Sequence, residues 1–370
     1  PSLPCGACPP GRPWLSLPLP GAPDSPSTPL DTAAPMGTQR DGYVLFRDVV
    51  LGSGSFGKVV TAIHSKSGEV VAAKVIDMTK MHPARVANEI VVMSRLRHEN
   101  VISLLGHQGV GNICILFLEL ASAGDLYELV SSAGRLEEVT ARKHMREILS
   151  GVEHLHAMGV VHRDIKLENI LVDHNGTCKI SDFGLSFVFP RDENGKVVRS
   201  YLSDNLCGSR SYNAPETRCA SIESHDGEAA DVWSIGVCLF SMLTGFFPID
   251  TAESSDWKFC CICEAVLGKG QSLSRTVFAL HRLQCHLSAA AIDLLDGMMC
   301  LNPLRRLTVS ACLFHQWVLG GVRSELLLEP QRSKKRGRAW FHTAGLVDGD
   351  SNLGSIAKRF GVVAASAVAA

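Results

Sequence analysis

The residues best equipped for chemistry lie in two short pieces. One is His162-Arg163-Asp164-Ile165-Lys166-Leu167-Glu168-Asn169; the other, Asp182-Phe183-Gly184, begins thirteen residues past Asn169. Apolar strand-like runs flank both: Gly159-Val160-Val161, Ile170-Leu171-Val172 and Cys178-Lys179-Ile180. Charged groups carried on short turns between buried strands can converge on one small volume. Asp164, Lys166, Asn169 and Asp182 then supply two carboxylates, an amide and an ammonium, a set suited to transferring a phosphoryl group to a hydroxyl. In that chemistry Asp182 and Asn169 are oxygen ligands for Mg²⁺. Asp164 orients the hydroxyl and accepts its proton, and Lys166 meets charge on the moving group.

These residues resemble the catalytic core of the eukaryotic protein kinases. The resemblance implies an α+β, two-lobed protein-kinase fold, with a β-rich N-lobe, a mainly helical C-lobe and Mg-ATP bound between them. Lys166, two residues after Asp164, and the run Cys207–Glu216 (CGSRSYNAPE) are similar to the Ser/Thr type. Ser209 is then expected to bond near Asp164 and Lys166. Asp182-Phe-Gly-Leu-Ser186 with Lys166–Asn169 is most similar to the calcium/calmodulin-dependent and AMP-activated-like group. Protein Ser/Thr hydroxyls are the implied acceptors.

Upstream, Val- and Ile-rich runs separated by Gly and Ser predict strands at Tyr43–Val50, Lys58–His64 and Glu69–Ile76. Between the first two lies Leu51-Gly52-Ser53-Gly54-Ser55-Phe56-Gly57-Lys58-Val59. A lone Gly-x-Gly-x-x-Gly also fits a dinucleotide-binding turn, but that turn must open a helix. Here Val59-Val60-Thr61-Ala62-Ile63 follows, which is strand chemistry. A nicotinamide-dependent dehydrogenase is thereby disfavoured, and a hairpin flap over phosphates is expected.

By the same resemblance, Lys74 reaches the nucleotide phosphates and Ala72 leaves room for adenine. Glu89, on a helix predicted over Pro83–Arg97, pairs with Lys74. Leu118, within an apolar run at Ile113–Leu120, takes the gatekeeper position. Glu119, Leu120 and Ala121 form the hinge, Asp125 lies near the ribose, and Glu168 and Leu171 complete the nucleotide site. Met93, His162 and Phe183 would stack as a spine. Asp125 and Glu168 further imply a preference for basic residues upstream of the acceptor.

The lower lobe is predicted helical, with a helix over Leu136–Ala157 and an apolar helix opening at Asp231, whose carboxylate would hold the catalytic loop from below. His154 and His156 are read as structural. Glu216 of Ala214-Pro215-Glu216 is the expected ion-pair partner of Arg306. Arg163 before Asp164 marks kinases that often need a phosphorylated activation segment. The corresponding Thr position holds Asn205 after Asp204, so Asp204 is expected to supply part of that charge, with Ser200 and Ser203 as the competing phosphosites.

The chain has 370 residues and is 46% hydrophobic, with room for one large two-lobed domain plus tails. Its net charge of −1 and pI near 7.0 give no global reason to expect nucleic acid. No apolar run reaches the ~18 residues of a membrane span. Thirteen scattered cysteines suit a reducing, cytoplasmic setting better than a disulfide framework, and Cys260-Cys261-Ile262-Cys263 is read as buried thiols.

Residues 1–35 carry eleven of the seventeen prolines, and Met36 follows them, so a separate leader is expected there. Residues 1–42 are thus assigned as a Pro-rich disordered segment and 43–318 as the kinase domain, dividing near residue 120. Residues 319–370 form a flexible tail, whose basic cluster Arg332–Arg338 is a candidate seat for a regulatory protein or for nuclear import, against the plainer reading of a solvated charge run. A pseudokinase scaffold is the competing function. It usually lacks the ATP lysine, the catalytic Asp or the metal Asp, and Lys74, Asp164 and Asp182 are all present.

Overall fold

The computed structural model describes residues 38–40, 42–54, 57–203, 207–219 and 221–320. The Pro-rich leader, the basic cluster, Ser55, Phe56, Asp204 and Asn205 lie outside the described residues.

The N-terminal lobe is a twisted antiparallel sheet. It is built from β1 (Thr38–Arg40), β2 (Tyr43–Gly54), β3 (Gly57–His64) and β4 (Val70–Asp77), then, after helix α1 (Pro83–Arg95), β5 (Leu104–Val110) and β6 (Ile113–Leu118). Strand order is β1-β2-β3-β4-β6-β5. The sheet thus begins ahead of Tyr43, with Thr38–Arg40 paired to Tyr43–Leu45. Side-chain alternation divides β4. Val71 and Ala73 pack with Val60, Ala62 and Phe117 on one face, leaving Ala72 and Lys74 to the other.

α1 starts at Pro83, where a missing N–H costs nothing, and His82 caps it by accepting from the Ala84 amide at 3.2 Å. It buries Val86, Glu89, Val92 and Met93 along one side. The helix stops at Arg95, short of the expected Arg97. Leu96 turns extended to bury itself, and the Arg97 guanidinium folds back onto the Leu96 carbonyl at 2.9 Å.

The C-terminal lobe contains α2 (Leu126–Ala133) and α3 (Glu138–Ala157), then short strands β7 (Val160–Val161), β8 (Ile170–Val172), β9 (Cys178–Ile180) and β10 (Phe187–Val188). Helices α4 (Pro215–Arg218), α5 (Gly227–Thr244), α6 (Trp257–Cys263), α7 (Leu273–Leu280), α8 (Ala289–Met298), α9 (Val309–Leu313) and α10 (Gln316–Leu319) follow. α5 is apolar on nearly every side and buried from Asp231 to Leu243, so it forms the axis of this lobe. It opens at Gly227, earlier than its apolar run suggests. Asp226 caps it by accepting from the amides of Glu228 and Ala229 at 3.0 and 3.1 Å. Asp231 is therefore inside the helix, with its carboxylate available to another element.

The eleven cysteines among the described residues are free thiols; Cys260 and Cys261 are half-buried and only Cys263 of that trio is fully enclosed. No helix among the described residues is long and apolar enough to cross a membrane.

Candidate active site

Two small ladders frame the loop of residues 162–169. β7 pairs with β10 and β8 with β9, both antiparallel, so residues 162–169 and 181–186 leave neighbouring strand ends. Asp231 supports the loop from α5. One carboxylate oxygen accepts from the His162 amide and the other from the Arg163 amide, both at 2.9 Å, and His156 Nε2 lies 2.9 Å from the first. That support holds Arg163 in the left-handed region, at φ 69°; Asp182 sits likewise at φ 63°. Such conformations cost about 1–3 kcal/mol each and persist only where surroundings enforce them.

Asp164 is the hub. Its Oδ1 accepts from the backbone N–H and the hydroxyl of Ser209, both at 2.9 Å. Its Oδ2 lies 2.8 Å from the Lys166 ammonium and 3.2 Å from Asn169 Nδ2. Lys166 also donates to Ser209 Oγ at 3.0 Å, and Asn169 Nδ2 to the Asp164 carbonyl at 2.9 Å. Ser209 can approach because Gly208, at φ 82°, has no side chain. A Cβ there would sit 2.5 Å from the Arg163 carbonyl oxygen.

Across the cleft, Lys74 of β4 bridges Glu89 of α1 at 2.6 Å and Asp182 at 2.9 Å. Burial opposes the lysine's charge, but the two carboxylates outweigh it and raise Lys74 to about 12. Asp182 is held below the usual carboxylate range: burial works against its charge, and Lys74 overcomes it. Glu89, 1% exposed, is raised because burial exceeds the help from Lys74. Behind this triad His162 and Phe183 meet at 5.1 Å between centroids, with Met93 in the same buried core.

The glycine-rich turn is a hairpin of β2 and β3, with Gly52 opposite Val59 and Gly54 opposite Gly57. A Cβ on Gly57 would lie 1.9 Å from the Val75 carbonyl oxygen, so packing alone demands glycine; at Gly52 nothing lies within 4 Å. Val59 pairs with Lys74 and therefore shares its face of the sheet. Lys58 and its partner Ser53, both assigned to the nucleotide, do not share that face. Lys58 also pairs with Val75, so the Lys58 and Ser53 side chains leave by the opposite face, away from Lys74, because β side chains alternate. Ser55 and Phe56 lie outside the described residues, whereas the neighbouring Leu51 and Ser53 are on β2.

At the hinge Ala72 stands directly across from Leu118. The Glu119 amide donates to the Ser103 carbonyl at 3.1 Å and the Ala123 amide to Val172 at 2.9 Å. Between them, the Ala121 N–H has no partner among the described residues. Glu119 itself pairs with Lys179 at 2.7 Å, so only its backbone faces the hinge. Asp125 caps α2 by accepting from the Glu128 amide at 2.8 Å and bridges to Leu171. Burial, with smaller contributions from Glu128 and Glu168, raises Asp125 to about 6.

Three contacts have no signal in the sequence. Asn88 Nδ2 donates to the Ser186 carbonyl at 2.8 Å, tying α1 to the turn after Asp182. The Tyr212 hydroxyl donates to Glu168 Oε2 at 2.9 Å, occupying one oxygen of an acid assigned to substrate. Arg163 Nη2 lies 2.7 Å from Cys207 Sγ.

A lysine held by two acids, facing an aspartate held by a lysine, an asparagine and a serine, is the arrangement the catalytic-loop residues imply. Residues 46–318 match the protein kinase domain family. The chain belongs to the protein kinases.

This kinase is 34% identical over 278 residues to CBL-interacting serine/threonine-protein kinase 13 of Arabidopsis thaliana, covering 74% of this chain and 51% of the relative. It is 32% identical over 277 residues to CBL-interacting protein kinase 31 of Oryza sativa subsp. japonica, covering 74% and 57%. With the hormonally up-regulated neu tumor-associated kinase homolog A of Xenopus laevis it shares 36% over 289 residues, covering 76% and 38%. The kinase therefore spans little more than half, at most, of the curated relatives it matches. The matches bear out the resemblance to Ser/Thr-type kinases.

Proposed function

We propose that the chain transfers the γ-phosphate of ATP to Ser or Thr hydroxyls of proteins. The observation that carries this reading is the simultaneous assembly of both halves of the site. Lys74 contacts Glu89 and Asp182 while Asp164 contacts Lys166, Asn169 and Ser209. A scaffold without activity has no need to keep each of these pairings.

Adenine is accommodated by Ala72 opposite Leu118, with the Ala121 N–H as donor, and Lys74 meets the phosphates. Mg²⁺ fits the donor set. Asn169 spends its Nδ2 on Asp164, which leaves Oδ1, and Asp182 gives Oδ1 to Lys74, which leaves Oδ2. Hard oxygen ligands of this kind suit a hard cation, which would neutralise charge on the phosphate oxygens. Asp164 takes the acceptor's proton, and Lys166 stabilises the negative charge that develops beside it.

The test is phosphate incorporation from labelled ATP into a generic basic Ser peptide, with Lys74→Met as control. Incorporation by the wild type alone supports the reading. ATP binding without incorporation would return the molecule to the pseudokinase class.

The acid pair Asp125 and Glu168 supports a preference for basic residues before the acceptor. Asp125→Asn keeps a side-chain oxygen to cap α2 but removes the charge. It is expected to raise KM roughly three- to tenfold for an upstream-Arg peptide, the scale of one half-buried charge pair, while KM for a peptide without upstream Arg changes little. In the wild type KM for the upstream-Arg peptide should rise as pH falls through about 6, where Asp125 takes up its proton, and the variant should lack this step. The sign for stability is opposite. A carboxyl raised above its unfolded value penalises the fold when ionised, so acid does not unfold the protein through this group. A peptide array without basic preference would end the assignment.

A further inference from the structure

A cluster outside the active site joins α3 to β9. His144 and Glu147, three residues apart, share one side of α3, and Cys178 faces them from the start of β9. His144 Nδ1 lies 3.1 Å from Cys178 Sγ and 3.6 Å from Glu147 Oε2. The three ligand atoms all lie within 4.8 Å of one another. His144 and Cys178 are buried, at 5% and 1% exposure, and the Glu147 side chain reaches 18%.

We propose that His144, Glu147 and Cys178 form a three-ligand site for a divalent transition metal, zinc being the ion whose chemistry the set matches. One imidazole nitrogen, one thiolate and one carboxylate oxygen are zinc's ordinary protein donors, and a water can take the fourth position from the Glu147 side. Bond lengths of about 2.0–2.3 Å in a tetrahedron place such donors roughly 3.4–3.6 Å apart. The observed N···O separation of 3.6 Å is close to this, and the N···S separation of 3.1 Å is about half an ångström short, so His144 and Cys178 must move apart by that much to admit the ion. As the sulfur–metal bond forms, the Cys178 S–H bond breaks and its proton leaves to solvent; no electron is exchanged. Glu147 Oε2 also accepts from the Cys178 amide at 3.0 Å, so strand and helix are already in register for the ion.

The site has a structural consequence for the kinase. Cys178 is four residues before Asp182, so the ion would fasten to α3 the strand that delivers Asp182. The alternative for the same atoms is a hydrogen-bonded triad that takes up no metal.

The full chain, stripped with chelator, should be titrated with Co²⁺ alone and followed by absorbance, then challenged with Zn²⁺. The expected result is one Co²⁺ per chain with a sulfur-to-cobalt charge-transfer band and tetrahedral d–d bands, displaced by Zn²⁺. Cys178→Ala should abolish the charge-transfer band. His144→Phe and Glu147→Gln should each weaken uptake about tenfold or more, and they carry the test if the cysteine variant does not fold. No band in the wild type would overturn the proposal in favour of the hydrogen-bonded triad. An undiminished band in Cys178→Ala, or in both other variants, would overturn it by placing the metal on other cysteines.

Discussion

Asp164→Asn is expected to lower turnover by about 10²–10⁴-fold, the usual contribution of a positioned general base, while ATP affinity stays within about twofold. The geometry says why an isosteric change is so damaging. Oδ1 of Asp164 must remain an acceptor, because it receives both the amide and the hydroxyl of Ser209. The new amide nitrogen is therefore forced to the Oδ2 position. There it faces the Lys166 ammonium at 2.8 Å and Asn169 Nδ2 at 3.2 Å, so donors meet donors. The variant loses the proposed proton acceptor and also disturbs Lys166, the lysine proposed to steady developing charge.

Asp182→Asn should behave differently. It removes a carboxylate from Lys74 and a ligand from the proposed Mg²⁺ site, so affinity for Mg-ATP falls along with turnover. Calorimetric titration with a non-hydrolysable ATP analogue and Mg²⁺ separates the two. Equal loss of nucleotide affinity in both variants would sink this division of roles.

The convergence of these residues was legible in sequence because each sits in a contiguous run that fixes its own turn. His162–Asn169 and Asp182–Gly184 lie between short apolar strands, and the alternation of Val71-Ala72-Ala73-Lys74 already separates a buried face from a cleft face. The same alternation argues against Lys58, since Val59 shares the face of Lys74 and its neighbour cannot. Helix ends were harder to read. Leu96 and Asp226 decide them through burial and capping, which periodicity does not register. Contacts between distant residues were not legible. Asn88 with Ser186, Tyr212 with Glu168, and His144 with Cys178 join residues 98, 44 and 34 positions apart. Each residue alone reads as ordinary helix, loop or strand, and only the packing of α1, α3 and α5 brings them together.

Arg306→Met is expected to destabilise the kinase domain by about 3–5 kcal/mol, the scale for stranding one member of a buried ion pair. That corresponds to a fall in Tm on the order of 10 °C. Glu216 is 1% exposed, and both its oxygens are engaged by the guanidinium, at 2.5 and 3.0 Å. Arg306 also donates to the carbonyls of Ala229 and Cys300 at 2.8 and 3.0 Å and lies 5.2 Å over the Trp233 ring. One side chain therefore ties the end of the activation segment to α5 and to the loop before α9. Arg306→Lys should recover little, because an ammonium cannot reproduce the two-pronged contact while also reaching two carbonyls. Adding Glu216→Gln to Arg306→Met removes the stranded charge, so the double variant should be less destabilised than the sum of the singles. Thermal denaturation of the four proteins in a double-mutant cycle measures this coupling. Additive losses would show that Arg306 acts through the backbone carbonyls and Trp233, with Glu216 contributing independently.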